Sequence, residues 1–275
     1  MAQRPSRAQR MLLLATALLT LLAVGTASAA AKSCVVKANA NCAKANLAGA
    51  NLAGKNLNAI DLTGANLKGA NLSGVRLMNA SLERANLTGA NLTGAQITTT
   101  SLTGATLTNA NLTNAQVGGS SFQNTNLAGA TLSGTAFDTS SLQGVTLTGA
   151  NLGTANLLGV TSLGGTKGTP ASLPTGWVIV DTYLLGPGVN LSGANLSGAN
   201  LTGLNLSGAN TGGNGGAFSN VNFRGTNLTG VNFAGSAFRN VNFSGATTTG
   251  ATTTGAVWRN STCPNGTTQK KTGCF

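Results

Sequence analysis

Four cysteines and four carboxylates are nearly all that this 275-residue chain offers to redox, metal or acid–base chemistry. There is no histidine, so no side chain titrates near neutral pH without a perturbed environment. The carboxylates are Asp61, Glu83, Asp138 and Asp181, far apart in the chain. Such scatter argues against the paired carboxylates of a glycoside hydrolase and against a calcium site, which needs several oxygen ligands together. The cysteines fall in two pairs near opposite ends, Cys34 with Cys42 and Cys263 with Cys274. Without histidine, a metal site built from them is a weak reading. The glycine-rich stretch 212–216 lacks the Lys-Ser/Thr that completes a phosphate loop. The expectation is a protein that is not an enzyme and carries no metal or cofactor.

The elements that position these residues follow a five-residue period. Through residues 45–159 the unit Ala-Asn-Leu-x-Gly recurs in unbroken phase, as in Ala65-Asn66-Leu67-Lys68-Gly69. Its central residue falls at every fifth position from Leu47 to Leu157, with Ile97, Val117, Phe122 and Phe137 as variants. A period of five fits neither the 3.6 of a helix nor the 2 of a half-buried strand. A short fixed period marks a solenoid, in which stacked repeats bury one continuous core. Residues twenty apart also share their oddities. Ile97, Val117 and Phe137 form one such series, and Asp61, Ser81, Ser101, Ser121 and Ser141 form another. The segments 217–220, 237–240 and 257–260 repeat the same theme at the same interval. Twenty residues per turn means four units per coil.

This pattern resembles the pentapeptide-repeat family, whose signature is A-(D/N)-L-x-x, over most of the chain. The resemblance implies an all-β fold, a right-handed quadrilateral β-helix with one repeat on each side. The central residue and the alanine two before it should then point inward. Burial of each leucine would contribute roughly 1.5–3 kcal/mol. The unit ends in Gly or Asn, the types that best accept positive φ at a tight corner. Arg84, Thr99, Thr139 and Thr154 stand at the same place, so those corners are expected to differ. The Asn before each centre can bond local backbone or the Asn one coil away. Lys55 replaces an inward alanine and is expected to escape the tube or find an oxygen partner, since an unpaired buried ammonium is costly.

Along the chain, residues 1–29 read as a signal peptide. Arg4, Arg7 and Arg10 precede an apolar run over residues 11–24, and Ala27-Ser28-Ala29 supplies a small-residue cleavage site. Fourteen apolar residues are short for a membrane span, so none is expected after cleavage. Residues 30–44 form an N-terminal cap, with Cys42 already at a centre position. Residues 45–159 are the first array. Residues 160–189 interrupt it with Pro170, Pro174 and Pro187, and Trp177–Val180 and Tyr183–Leu185 suggest a hairpin or an irregular coil. Residues 190–261 are the second array, richer in phenylalanine and with a two-residue insertion at 212–216. Its weak centres, Thr248 and Thr253, should make the last coils locally less stable. Residues 262–275 form a C-terminal cap. Solenoid ends need caps, and we expect Cys34–Cys42 and Cys263–Cys274 to staple them. Four cysteines allow three pairings, among which sequence alone does not choose.

The formal charge is +12, and loss of the three signal arginines leaves +9. Between Arg84 and Lys167 there is no basic residue, so the middle is neutral and the ends are cationic. Candidate partner contacts are Trp177 and Tyr183 in the interruption and Arg239 and Arg259 in the second array. The expected role is a secreted or otherwise extracytoplasmic scaffold in the cell envelope, facing an unknown protein or an anionic cell-envelope polymer. Nucleic acid is an unfavoured partner, because the basic ends lack interleaved exposed aromatics. Some relatives mimic DNA and bind gyrase, but a mimic needs negative charge and this chain is basic. Threonine series such as Thr88/Thr108/Thr148 and Thr93/Thr113 raise ice or surface binding as another reading.

Overall fold

A computed structural model describes residues 34–212, 216–269 and 273–275. The expected signal peptide, residues 30–33 of the cap, Lys32, Lys270 and Lys271 lie outside the described residues. Cys34–Phe275 form one compact unit, whose described residues form no helix.

One repeat shows how the backbone is spent. The Asn66 amide donates to Ala45 O one coil below (2.9 Å), and the Leu67 amide donates to Asn86 O one coil above (2.7 Å). The Gly69 amide donates upward to Thr88 O (2.9 Å), and the Ala70 amide closes a turn onto Leu67 O (3.0 Å). Gly69 holds φ at +65°, the value that a type II turn demands of its third residue. Each side of the coil is therefore a two-residue parallel bridge followed by a turn of about a right angle. The Asn66 side chain works both ways: Oδ1 accepts the Lys68 amide (3.2 Å), and Nδ2 donates to Asn46 Oδ1 below (2.9 Å).

Ten successive parallel bridges run up one side, from Asn41↔Asp61 to Asn232↔Thr252. At about 4.8 Å per step this side is roughly 50 Å long. The twenty-residue coil inferred from shared oddities is the observed register through Thr161. Central residues and inward alanines fill the tube. Leu57, Leu112, Val117 and Phe137 are wholly buried, as are Ala65, Ala95 and Ala115. Cys42 sits at a centre position and is buried. Lys55 is exposed. The equivalent position one coil lower, Val35, is also exposed, so the tube is not yet enclosed at that corner.

Two features depart from the sequence expectation. Arg84, Thr99 and Thr139 adopt φ of 56°, 53° and 58°, so those corners match the glycine corners. Stacking over-determines the backbone and imposes strain that β-branched residues ordinarily avoid. Thr154 alone of the four does not take positive φ; its hydroxyl accepts the Gly134 amide instead (3.0 Å). The second departure is polar. Thr100, Ser120, Thr125, Thr135 and Ser140 replace inward alanines and are buried. Their hydroxyls all donate to the carbonyl of a central residue one coil down: Leu77, Ile97, Leu102, Leu112 and Val117 respectively. Ser120 also accepts the Thr100 amide (2.9 Å), a donor that elsewhere closes the turn directly. No buried side-chain polar atom among the described residues is left without a partner, which makes these hydroxyls tolerable in the core.

Within residues 160–189 the coil widens before it resumes. Bridges step by 21 at Thr146↔Lys167 and Asn151↔Ser172, and by 29 at Thr161↔Asn190. The extra chain forms an antiparallel hairpin, β1 (Val178–Val180) with β2 (Tyr183–Leu185). Asp181 turns it with φ +51°, and Leu184 and Leu185 plug the tube.

Above it, β3 (Ala217–Ser219), β4 (Ala237–Arg239) and β5 (Val257–Arg259) form a parallel three-stranded sheet. The step across residues 212–216 is 22, as in Asn200↔Asn222, and returns to 20 at Asn222↔Asn242. Inside, Phe218 stacks on Phe238 (5.3 Å) and Phe223 on Phe243 (5.1 Å). Trp258 caps Phe238 at 4.4 Å. Then β6 (Ser261–Thr262) pairs antiparallel with β7 (Thr268–Gln269). Phe275 packs on Phe243 and Trp258, and its carbonyl accepts the Thr253 hydroxyl (3.0 Å). Thr248 and Thr253 are only half-buried, as befits the last coil.

Leu112→Asp should lower stability by several kcal/mol or prevent folding, because it buries an unpaired charge. Thr113→Asp should cost under about 1 kcal/mol. Urea unfolding followed by circular dichroism compares the two, and equal losses would contradict the inward and outward assignment. Ser120→Ala should cost roughly 1–2 kcal/mol by the same measurement.

Candidate functional site

A pair of like charges in strand register lies on β4 and β5. Their pairing places Arg239 directly opposite Arg259, one strand spacing of about 4.8 Å apart, and both are exposed. Each arginine follows a buried aromatic, Phe238 or Trp258. Strand alternation therefore turns it outward. Asn240 and Asn260 follow at positive-φ corners, and Asn240 Nδ2 donates to Asn220 Oδ1 (3.1 Å). Two like charges in register repel, which solvent exposure moderates. Together they present ten N–H donors on a flat polar face, suited to carboxylate or phosphate oxygens. Arg224, two residues beyond the bridging Asn222, is also exposed.

The two aromatic candidates behave differently from the arginines. Trp177 is 9% exposed and belongs to the core; its ring covers Gly186, where any Cβ would collide with it. Tyr183 is half-buried, and its hydroxyl donates to Asn195 O (2.7 Å). Both tie the hairpin to the rod, which leaves little aromatic surface for a partner.

Three of the four carboxylates accept hydrogen bonds from neighbouring groups of the coil. Asp61 Oδ1 accepts the Thr63 amide (2.9 Å), Glu83 accepts the Ser101 hydroxyl (3.0 Å), and Asp138 accepts Asn156 Nδ2 (2.7 Å). Among the described residues, no three His, Cys, Asp or Glu side chains gather where they could hold a metal. Cys34 is bonded to Cys42 and Cys263 to Cys274, with Cα separations of 5.2 and 5.0 Å. The hydroxyls of the outward threonine series are engaged within their own repeats. Thr88, Thr93 and Thr113 donate their hydroxyls to Asn86, Asn91 and Asn111 Oδ1 at 2.6–2.7 Å. That leaves mainly oxygen lone pairs for an external surface. The buried hydroxyl series escaped the sequence reading, although the Thr100–Ser120–Ser140 spacing of twenty was there to find it.

Comparison with known proteins places this geometry. The family model described as pentapeptide repeats matches residues 40–79, 65–104, 80–119, 120–159, 187–210 and 218–252. No curated protein sequence matches the chain. Among solved structures, HetL of the cyanobacterium Nostoc sp. strain PCC 7120, a protein involved in heterocyst differentiation regulation, is 25% identical. That match covers 82% of this chain and 92% of HetL with a TM-score of 0.29. A pentapeptide repeat protein of the Arabidopsis thaliana thylakoid lumen is 31% identical over 39% of this chain and 68% of its own, with a TM-score of 0.28. QnrB1, a plasmid-mediated fluoroquinolone resistance protein, is 16% identical over 72% of this chain and 90% of its own, with a TM-score of 0.35. On the repeats matched across most of its length, the chain belongs to the pentapeptide-repeat family and folds as that family's right-handed quadrilateral β-helix.

Proposed function

We propose that this protein is a non-enzymatic, extracytoplasmic scaffold that docks on an anionic cell-envelope polymer through the basic end of its β-helix. The observation that carries the reading is the in-register, exposed Arg239–Arg259 pair on a flat parallel sheet. A polymer with regularly spaced phosphates or carboxylates meets that pair without a pocket. The mechanism is display of charge on a rigid surface, with affinity from several weak contacts. Arg224 extends the same charge toward the neighbouring side. Export is supported by the Arg4–Arg7–Arg10 cluster, the apolar run and the small-residue site that follows. Two terminal disulfides suit an oxidising compartment. A DNA-mimicking role has the wrong charge sign, +12 for the whole chain.

Immobilised poly(glycerol phosphate), with neutral dextran as control, tests the docking reading. The full chain should bind the polyanion and not dextran, and binding should weaken about tenfold or more between 50 and 300 mM salt. Arg239→Ser with Arg259→Ser should remove most of it while leaving thermal unfolding unchanged. Equal retention on dextran, or binding indifferent to the double substitution, would overturn the site. For export, residues 1–33 fused to alkaline phosphatase should yield periplasmic activity in a bacterial host, and activity trapped in the cytoplasm would count against it.

A further inference from the structure

The backbone ladder breaks at one level of the rod. Below the break, Gly149 and Ala171 amides donate to Thr169 O and Ala150 O (2.8 Å each), and the Leu152 amide donates to Ser172 O (3.1 Å). Above it, bridging resumes at Asn200↔Asn222. In a regular coil the amide of each central residue donates upward and the amide before it donates downward, as for Leu92 and Asn91. Here the Gly168 and Leu173 amides, which should donate upward, bond to no other described residue, and neither does the Asn200 amide that should donate downward. The hairpin occupies the level between, and β1 pairs only with β2. What remains is an open cleft of about 470 Å³, bordered by Gly168, Pro170, Ser172, Leu173 and Ile179. That volume lies within the usual range of ligand clefts, about 300–1,000 Å³.

We infer that this cleft binds an extended peptide by strand addition, with an acidic residue at the end nearest Lys167. Leu173 below and Asn200 above belong to one side of the rod, with Gly168 around the corner on the adjacent side; unused amides on both levels of that side call for a ligand with carbonyl acceptors, which an extended polypeptide supplies. Pro170, Leu173 and Ile179 give apolar seats for alternate side chains, and the intervening ones face solvent. Lys167 opens the segment that forms the lower edge, is exposed, and is the only basic residue between Arg84 and Arg224. Its charge fixes the register and sign of the guest. A glycan is the poorer guest, because the aromatic faces that would stack on sugar rings are engaged: Trp177 is in the core and the Tyr183 hydroxyl is bonded to Asn195. The site is independent of the arginine pair and stands whether or not that pair binds a polymer.

A library of random linear heptapeptides, panned on the full chain, tests it. Enriched peptides should alternate apolar residues and carry an acidic one, and should slow hydrogen exchange at the Leu173 amide. Ile179→Trp, which fills the cleft, should weaken the best peptide tenfold or more. Lys167→Glu should reverse its charge preference and retain the wild-type unfolding midpoint. No enrichment, or peptides that leave exchange at Leu173 unchanged, would overturn the inference. So would protection of Leu173 by chitohexaose in place of the peptides.

Discussion

The rod depends on one constraint: the backbone must turn through about a right angle every five residues while every bridging amide still finds a carbonyl one coil away. Two residues of bridge are too few to bury anything alone. A two-residue side has no strand neighbour within its own coil either. Only the level above and the level below satisfy it. Corner, bridge and core are therefore solved together, and none is stable in a single repeat. This explains why φ near +55° is accepted at Arg84, Thr99 and Thr139. An isolated turn would reject those residues, but here the amides on both sides are already held.

The interior follows from the same constraint. A tube about two side chains across has room for one large and one small residue per side, so leucine and alanine alternate along the chain. Where serine or threonine takes the small place, the hydroxyl reaches the carbonyl of a central residue one coil below. At Leu77, Leu102, Leu112 and Val117 that carbonyl also accepts the turn amide, so the hydroxyl is its second donor. The buried series Thr100, Ser120 and Ser140 is thus a second ladder inside the first, built from side chains. Toward the C-terminal end the filling changes from leucine to stacked phenylalanine, and Trp258 and Phe275 close the tube.

Much of this was legible in the sequence because the period itself is the fold. Once Leu47 and Leu157 fall on one five-residue comb, which residues face inward follows from counting. The parallel register follows from the columns of oddities twenty apart. The corners at Arg84, Thr99 and Thr139 were not legible, because local preference argues against positive φ there and only stacking overrides it. The buried hydroxyls were hidden for a related reason. Serine and threonine also populate the outward positions, and a single repeat does not say which of its carbonyls can take a second donor from the coil above. The arginine pair could be read as charge at a given interval, but its flat presentation needed the strands β4 and β5. The cleft could not be read at all. It arises from amides that lose their partners when the hairpin pushes two levels apart.

The steps of 21, 22 and 29 residues between bridged positions carry a consequence for how such a molecule can change. Added chain is absorbed locally, at a corner or in a hairpin, while the side through Thr161, Asn190 and Asn210 stays bridged past it. Contour length is thus decoupled from alignment. A lineage can lengthen one level, and open a crevice there, without rotating the faces that lie beyond it. Novelty in such a molecule is expected at its irregular levels, with the uniform coils serving as a fixed ruler between them.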